Sequence, residues 1–518
     1  MLIPRPVSIS DSAGSFALTP ATAIHAPDAP EVAALLRELL TPVTGLPLPD
    51  TGTPGPDTIA LRVTPDATDL GTEGYRLEVS RSGVTAAAPG AAGLRWAVQT
   101  LRQLLPVEAY APDRRDVPWT VTGVSIVDTP RYPWRGLLVD VGRWHKPVSW
   151  LRRVVDLLAM HRMNVLHLHL TEDQGWRFEV RKHPRLTEVG AFRRASPRGH
   201  ETENRSDDTP HGGFYTQDEL RDLVAYAARR GVTIVPEIDL PGHMQAAIAA
   251  YPHLGNAPDD PPEVWTRFGV SDRVLNVEDG TVAFVRDVLD ELMDVFPGPW
   301  IHLGGDEVPL TEWESSPAAA RRIAAEGLTG PADLLGWWIR QAAAHVTRAG
   351  RRPVLWDELV GQHAPADAVV MAWRGHDRIA EGLLDGHDVI ATPHEHLYLN
   401  YPASDAASEP LSIRDGYAAA HGPTTLDHVY AYRPQPAGLP SDLPTRVVGV
   451  QANMWCEYAP TPDRAEYDLL PRLSAVAEVA WGTPDSLPAF HTRLSTHLRR
   501  LDAAGYRYRP LDGPGLTP

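Results

Sequence analysis

Two adjacent carboxylates, Asp306 and Glu307, have the residue types and the position that best suit chemistry in this chain. They follow an apolar run around Trp300 and Ile301, which is typical of a strand buried on both faces. Two glycines separate the run from the acids, and glycine lets a backbone bend sharply or a ligand approach closely. Such a pair could work as a general acid and base, and an acidic surface turn is the simpler alternative.

A regular alternation of apolar strands and amphipathic helices, which would position these acids, begins near residue 130. Eight apolar segments predict strands at residues 137–141, 165–170, 233–238, 300–303, 354–356, 369–373, 389–391 and 447–450. Helical patterns occur at residues 150–161, 220–228, 282–296, 334–346, 379–384 and 467–481. Strands that alternate with helices favour parallel βαβ units, and eight such units favour a closed (β/α)8 TIM barrel. In such a barrel the catalytic groups lie where the strands end.

A smaller α/β domain is expected before the barrel. Two strand-like and two helical runs predict it over residues 1–125, at residues 59–63 and 75–79 and at residues 31–40 and 91–105. The barrel should then occupy residues 126–485. Residues 486–518 remain as a tail, whose helix at residues 491–504 should pack on the barrel or on the first domain.

Composition excludes several classes of function. The 518 residues, 43% hydrophobic and 22% charged, exceed one ordinary domain and suit a barrel with a smaller companion. A net charge of −18 argues against a nucleic-acid partner, which requires a basic surface. No apolar run approaches the roughly 18–20 residues of a membrane span, so no membrane partner is expected.

The redox state and the location follow from two further features. The single cysteine, Cys456, cannot form an intrachain disulfide, so no oxidising compartment is implied. Residues 1–6 lack the charged start and apolar core of a signal peptide. We therefore expect a cytoplasmic protein, or a secreted one if a leader lies outside this sequence.

Further polar and aromatic side chains follow the other predicted strands and would converge on one mouth. They are Asp140 and Arg143, the segment HLHLTEDQGW at residues 167–176, the segment EIDLPGH at residues 237–243, Trp356, Asp357, Glu358, Trp373, Arg374, Tyr398, Asn400, Trp455, Cys456 and Glu457. Tryptophans can stack on the apolar faces of a sugar ring, while charged groups bond its hydroxyls. The set therefore favours a carbohydrate as substrate.

Four of these segments carry a resemblance to a known family. They are HLGGDE at residues 302–307, HLHLTEDQGW at residues 167–176, PGH at residues 241–243 and MWCE at residues 454–457. In this order, and each at a strand end, they resemble the family 20 glycoside hydrolases, the β-N-acetylhexosaminidases, over roughly residues 1–485. The resemblance implies a retaining exo-enzyme that removes terminal non-reducing N-acetylglucosamine or N-acetylgalactosamine without a cofactor or a metal.

The resemblance also implies how two neighbouring carboxylates can work. Glycosidases usually place two carboxylates on opposite sides of the anomeric carbon, which adjacent residues do poorly, and family 20 instead uses substrate assistance. The substrate's own acetamido oxygen then attacks the anomeric carbon and forms an oxazolinium intermediate. Glu307 would be the general acid and then the base, with a raised pKa, while Asp306 stays ionised and orients the acetamido N–H. Tyr398 would hold the acetamido oxygen.

Other roles carry over from the family residue by residue. Arg143 would bind the 3- and 4-hydroxyls and Glu457 the 4- and 6-hydroxyl side, while Asp173, His243 and His302 would support the acid from behind. Trp356, Trp373 and Trp455 would wall the acetamido pocket. Without the family, Arg143 could be an ordinary ion pair, His243 a plain loop residue and the tryptophans core residues.

One substrate-binding position departs from the family pattern. Asn400 stands where many members carry aspartate, which removes a negative charge but leaves a donor and an acceptor for a hydroxyl. We expect the pocket to tolerate an anionic group at carbon 6 better as a result. Cys456 is expected to be a small filler beside the pocket, because nothing nearby in the sequence would lower the pKa of its thiol.

Three alternatives stay open on the sequence alone. His167 and His169 alternate on one strand and could ligate the metal of an amidohydrolase-type barrel. A sugar-binding protein without catalysis is a second alternative, and a lacto-N-biosidase-like enzyme that releases a disaccharide is a third. Chitin oligosaccharides, peptidoglycan fragments and glycan termini all end in suitable β-linked sugars, and neither the sugar preference nor the oligomeric state follows from the sequence.

Overall fold

The structure, a computed structural model, describes residues 2–516 except for residues 204, 413–420, 441 and 483. Its described part contains a six-stranded N-terminal sheet with helices and a closed barrel of eight strands. The predicted fold class, a TIM barrel preceded by a small α/β domain, is therefore confirmed.

The N-terminal sheet is mixed, and its strands are Ser8–Ala17, Ala23–His25, Thr58–Val63, Tyr75–Ser80, Gly83–Ala88 and Thr120–Asp128. Helices Pro30–Thr44 and Ala91–Leu104 accompany it, close to the helices predicted there. The sequence did not reveal the strand Ser8–Ala17, which is an edge strand with most of its residues exposed. An exposed edge strand lacks the apolar pattern on which the prediction relied.

The barrel consists of eight strands whose successive neighbours pair in parallel. They are Trp134–Asp140, Val165–His169, Thr233–Glu237, Trp300–His302, Arg352–Trp356, Val369–Ala372, Asp388–Ala391 and Val447–Met454. Each overlaps one of the predicted segments, because strands buried on both faces are recognisable as continuous apolar runs. Glu237 pairs in register with His169 on one side and with His302 on the other.

Helices surround the barrel, and one of them, Arg472–Trp481, is buried along its whole length. They include Val148–Met160, Gln217–Arg229, Asp279–Val295, Asp333–Arg348, His376–Leu384, Pro462–Leu469 and Arg472–Trp481. The other helices in the described residues of this part are Arg185–Glu188, Gln245–Ala250, Thr311–Ser315, Pro317–Glu326, His394–Leu397 and Leu426–Ala431. One prediction was wrong, because the helix expected at residues 467–481 is two helices. Pro471 separates them, since proline has no N–H with which to continue a helix.

Short elements lie in the loops of both the N-terminal part and the barrel. The 3-10 turns are Thr68–Leu70, Val107–Tyr110, Glu201–Glu203, Pro252–Leu254 and Asp357–Leu359. The two-residue strands are Thr171–Glu172, Gly175–Trp176, Phe192–Arg193, Pro197–Arg198, Arg205–Ser206 and His211–Gly212. Within the described ranges, no helix combines the length and apolarity that crossing a bilayer requires.

The last helix, Leu487–Ala503, contacts both the N-terminal part and the barrel. Arg500 Nη2 donates to the carbonyl of Gln103 in the first part at 2.7 Å, and Arg493 Nη2 pairs with Glu478 of a barrel helix at 2.9 Å. The tail helix therefore packs on both the barrel and the first domain. The boundaries expected between the domains, at residues 125 and 485, stay predictions.

Candidate active site

The turn that carries Asp306 and Glu307 follows the barrel strand Trp300–His302. Gly304 has φ +66°, and a Cβ on it would lie 1.7 Å from Asp239 Oδ1, so only glycine fits there. Glu307 itself has φ +49°, which is rare for a residue with a side chain. Such a conformation persists where the surrounding structure enforces it, and it is typical of functional sites.

A single histidine lies behind both carboxylates. His243 Nε2 is 3.6 Å from Glu307 Oε2 and 3.9 Å from Asp306 Oδ2. Its other nitrogen, Nδ1, is 3.1 Å from Glu172 Oε1 and 3.6 Å from Asp173 Oδ2. The expected Asp173–His243 pair is thus adjacent, but the nearer partner is Glu172, to which the sequence analysis gave no role.

Asp173 mainly orders the loops around the site. Its two oxygens accept hydrogen bonds from the backbone N–H groups of Gln245 at 2.9 Å and of Ser271 at 3.3 Å. The only signal for Glu172 in the sequence was its place beside Asp173 in a segment that follows a barrel strand.

The electrostatics around the acids suit a proton donor. Burial raises the pKa of the Glu307 carboxyl, although the His243 cation partly opposes the shift. Burial also opposes protonation of His243, but the charge of Glu172 and the adjacent Asp173 carboxylate prevail and raise the His243 pKa well above the usual range. Glu307 can therefore hold a proton at a pH at which His243 is a cation.

Asp306 was expected to stay ionised, but burial raises the pKa of its carboxyl as well. Burial together with the charge of Asp306 also raises the pKa of its neighbour Asp239 well above the usual range. Two carboxyls that interact in this way titrate as a pair, and one proton shared by the pair leaves the other carboxyl ionised. A proton on Asp239 is thus compatible with an ionised Asp306.

Arg143 lies at the far end of the same network, and its side chain is buried. Its Nη2 is 2.7 Å from Glu172 Oε1 and 3.8 Å from Glu457 Oε1, and its Nη1 is 3.3 Å from Asp140 Oδ2. Burial raises the pKa of Glu457 to about 7, with Arg143 opposing the shift. Arg143 is therefore a fixed cation rather than a mobile surface group.

The aromatic residues expected at the mouth lie together and are buried. The rings of Trp373 and Tyr398 are stacked, with centroids 6.2 Å apart and planes 14° apart, and Trp455 lies 5.9 Å from Trp356 and 6.2 Å from Tyr398. Trp356 Nε1 donates to Glu237 at 3.0 Å. Burial raises the pKa of Tyr398 well above the usual range, so its hydroxyl keeps its proton and can donate it in a hydrogen bond.

Asn400 and Cys456 differ in what they offer a ligand. The amide of Asn400 is buried, and neither its oxygen nor its nitrogen has a hydrogen-bond partner among the described residues. Buried polar atoms usually have a partner, so this amide is suited to bond a ligand. Burial raises the pKa of the Cys456 thiol, which agrees with the filler expected there.

An open cleft of about 380 Å³ lies on the outer side of Glu307. Both aliphatic and polar side chains line it, and they are Glu307, Val308, Leu310, Ala332, Leu335, Glu358, Gln362, Trp373 and Arg374. Trp373 Nε1 donates to Glu358 Oε1 at 3.0 Å, so the same tryptophan borders the aromatic cluster and the cleft. The acid therefore faces a space in which a leaving group fits.

Some of the site's histidines and acids are close enough to share an ion. His167, Glu237 and His302 form one such group, and Asp239, His243 and Asp306 form another. His167 and His169, the ligands of the amidohydrolase alternative, both face Glu237 inside the barrel. Glu237 and Glu172 raise the pKa of His169 well above its usual range against the effect of burial.

Comparisons with known proteins agree with this geometry. The model of the glycosyl hydrolase family 20 catalytic domain matches residues 132–484, and that of domain 2 of the same family matches residues 1–129. A beta-hexosaminidase of Porphyromonas gingivalis is 38% identical over 517 residues, which are 98% of this chain but only 64% of that protein. A beta-N-acetylhexosaminidase of Cellulomonas fimi is 34% identical over 541 residues, with 100% of this chain and 98% of the relative covered.

A solved structure extends the likeness to three dimensions. The exo-β-N-acetylglucosaminidase of Vibrio harveyi, in complex with N-acetylglucosamine, matches with a TM-score of 0.86 and 32% identity over 98% of this chain and 78% of that chain. Such matches favour a glycosidase over the amidohydrolase alternative. Because the two family models together match nearly the whole chain, on the barrel and the small domain alike, this chain belongs to glycosyl hydrolase family 20 and is a glycoside hydrolase.

Proposed function

We propose that this chain is an exo-β-N-acetylhexosaminidase that releases terminal N-acetylglucosamine or N-acetylgalactosamine with retention, through an oxazolinium intermediate. The proposal rests mainly on one observation, which is that Asp306 and Glu307 both approach the same nitrogen of His243. They lie side by side, whereas a retaining enzyme with its own nucleophile needs two carboxyls that face each other across the sugar. The substrate must then supply the nucleophile.

The reaction begins with Glu307 as the acid. Its proton passes to the glycosidic oxygen, the bond from that oxygen to the anomeric carbon breaks, and the leaving group departs into the adjoining cleft. The acetamido oxygen forms the new bond to the anomeric carbon, giving the oxazolinium ion. Asp306 accepts the acetamido N–H and stabilises the positive charge, and the Tyr398 hydroxyl donates to the acetamido oxygen.

The second half of the reaction returns the enzyme to its starting state. Glu307, now a carboxylate, takes a proton from a water molecule as the water attacks the anomeric carbon. The bond to the acetamido oxygen breaks, and the sugar leaves with its original configuration. His243 stabilises the Glu307 carboxylate in this half, because its cation lies 3.6 Å away.

The opposite end of the pocket supports the release of one sugar at a time. Arg143, Asn400 and Glu457 are only 7%, 7% and 9% exposed, so this end of the pocket presents little open surface to a second sugar. These residues offer a fixed cation, a free amide and a carboxyl to the 3-, 4- and 6-hydroxyls. A lacto-N-biosidase-like enzyme would need this end to be open.

Hydrolysis of matched substrates tests the proposal. We expect turnover of 4-nitrophenyl β-N-acetylglucosaminide, β-N-acetylgalactosaminide and chitobiose, no turnover of the β-glucoside that lacks the acetamido group, and inhibition by N-acetylglucosamine-thiazoline. Equal turnover of the glucoside, or indifference to the thiazoline, would contradict substrate assistance. Faster release of a disaccharide from a lacto-N-bioside would favour the alternative enzyme.

The role of the acid needs a matched pair of variants. Glu307→Gln should lower kcat/KM for chitobiose by about 10²–10⁴-fold, the usual contribution of a general acid. Glu314→Gln removes an exposed carboxylate seven residues further along and should leave kcat/KM unchanged. Full activity of Glu307→Gln would exclude Glu307 as the acid.

A further inference from the structure

A single buried carboxylate, Glu237, gathers four ring nitrogens beneath the aromatic cluster. His169 Nδ1 lies 2.6 Å and His167 Nε2 3.1 Å from Glu237 Oε2. His302 Nδ1 lies 2.8 Å and Trp356 Nε1 3.0 Å from Glu237 Oε1. His169 and Trp356 each donate a hydrogen bond to one of the two oxygens, while His167 and His302 lie beside them, and His302 Nδ1 also accepts the N–H of Gly304 at 3.1 Å.

The barrel register creates this arrangement. Glu237 lies level with His169 on one neighbouring strand and with His302 on the other, and His167 precedes His169 by two residues on the same strand face. Glu237 and the three histidines are completely buried. Burial opposes ionisation of Glu237, but the histidines prevail and hold its pKa well below the usual range.

The indole of Trp356 connects this interior cluster with the pocket. Trp356 belongs to the aromatic cluster that also contains Trp455 and Tyr398, and its ring packs against His302 with centroids 4.7 Å apart. The indole is therefore held at its N–H by Glu237 and along its ring by His302. A side chain held at two points cannot rotate without leaving the Glu237 oxygen with one donor fewer.

We propose that Glu237 is a positioning residue that fixes the indole of Trp356 as the wall of the acetamido pocket and thereby sets the size of the N-acyl group that the enzyme accepts. The inference rests on the proposed function, in which the acetamido oxygen must meet the anomeric carbon at close range. A rigid wall holds the acetamido group in the attacking position and excludes a longer acyl chain.

The test is the ratio of kcat/KM for 4-nitrophenyl N-acetyl- and N-propionyl-β-glucosaminides. One added methylene in a tight pocket usually lowers kcat/KM by about 10–200-fold, so we expect the wild type to prefer the acetyl substrate by a factor in this range. Glu237→Gln places an amide N–H₂ among ring donors, which should free the indole and reduce the ratio to within about threefold of unity. A ratio equal to that of the wild type in the folded variant would overturn the inference.

Asp128 provides a matched control for the loss of a buried carboxylate. It is also completely buried and also accepts an indole N–H, from Trp481 Nε1 at 2.8 Å, but it lies at the end of the N-terminal sheet. Asp128→Asn should lower thermal stability without changing the acyl ratio. A ratio that changes equally in both variants would show a general effect of destabilisation and would also overturn the inference.

A second pair of variants applies if Glu237→Gln does not fold. His302→Leu removes the ring nitrogen that lies 2.8 Å from Glu237 Oε1, whereas His302→Asn keeps a nitrogen at a similar place, so the ratio should fall in the first and recover in the second. Equal ratios in both would contradict the inference. A wild type that hydrolyses neither acyl substrate would instead refute the proposed function, and a wild type that accepts both equally would refute the rigid wall.

Discussion

The substitution Gly304→Ala tests how closely Asp239 packs against the turn that carries the two acids. The new Cβ would lie 1.7 Å from Asp239 Oδ1, 2.4 Å from Asp239 Cγ and 2.8 Å from Asp239 Cα. Rotation of the Asp239 side chain cannot relieve the last contact, so the backbone must move. Asp239 also accepts the N–H of Gly305 at 3.2 Å, and its movement would shift the turn that carries Asp306 and Glu307.

Two contributions set the expected loss of stability. The left-handed conformation costs a residue with a side chain about 1–2 kcal/mol. Forcing an extra methyl into a packed place costs about 1–3 kcal/mol more. We therefore expect Gly304→Ala to lower the free energy of unfolding by about 2–5 kcal/mol, and the shifted carboxylates to lower kcat by about 100-fold.

Gly327 separates the two contributions, because its φ is +67° and a Cβ there would meet no atom within 4 Å. Gly327→Ala should therefore lose only the conformational part, about 1–2 kcal/mol, and keep its kcat. Urea unfolding and hydrolysis of 4-nitrophenyl β-N-acetylglucosaminide measure both quantities in both variants. Equal losses of stability, or an unchanged kcat in Gly304→Ala, would refute the steric reasoning.

Three further predictions concern charge. Asn400→Asp should lower kcat/KM for a 6-sulfated N-acetylglucosaminide at least about tenfold relative to the unsulfated substrate, because a buried anion would face the sulfate; an equal or higher relative rate would contradict this. The kcat/KM profile should fall as pH rises through the raised pKa of Glu307, and His243→Gln should move that fall to higher pH, because it removes a cation that lowers this pKa; a move to lower pH would contradict it. Arg143→Leu leaves the buried Glu172 without its nearest cation and should lower the free energy of unfolding, measured in urea, by about 3–5 kcal/mol. A loss below about 1 kcal/mol would contradict this expectation.

Much of the barrel could be predicted from the sequence, because its signals are local. A strand covered on both faces must be apolar throughout, and all eight such runs were recognisable. The helix predicted at residues 467–481 failed although Pro471 was visible, because the apolar pattern continues across the proline. The exposed strand Ser8–Ala17 carries no such pattern, and only its partner strand Thr120–Asp128 defines it.

The residues of the site could be named from the sequence, but their partners could not. Strand ends and motifs brought Asp306, Glu307 and His243 to the mouth in the prediction, since parallel strands of a barrel all end on one side. Which acid approaches His243 depends on rotamers and loop packing. The structure places Glu172 nearer than Asp173, although the two are neighbours in the chain.

The sequence by itself determined the barrel, the smaller domain and the set of residue types at the mouth. Both signals, the apolar pattern of a strand and the residues that follow it, lie within short stretches of consecutive residues. Only the tertiary structure decided that Glu237 binds Trp356 and three histidines and that Asp239 lies against Gly304. These contacts join different strands, and they depend on strand register and on the closure of the barrel. A shift of one residue in register would turn Glu237 away from all of its partners.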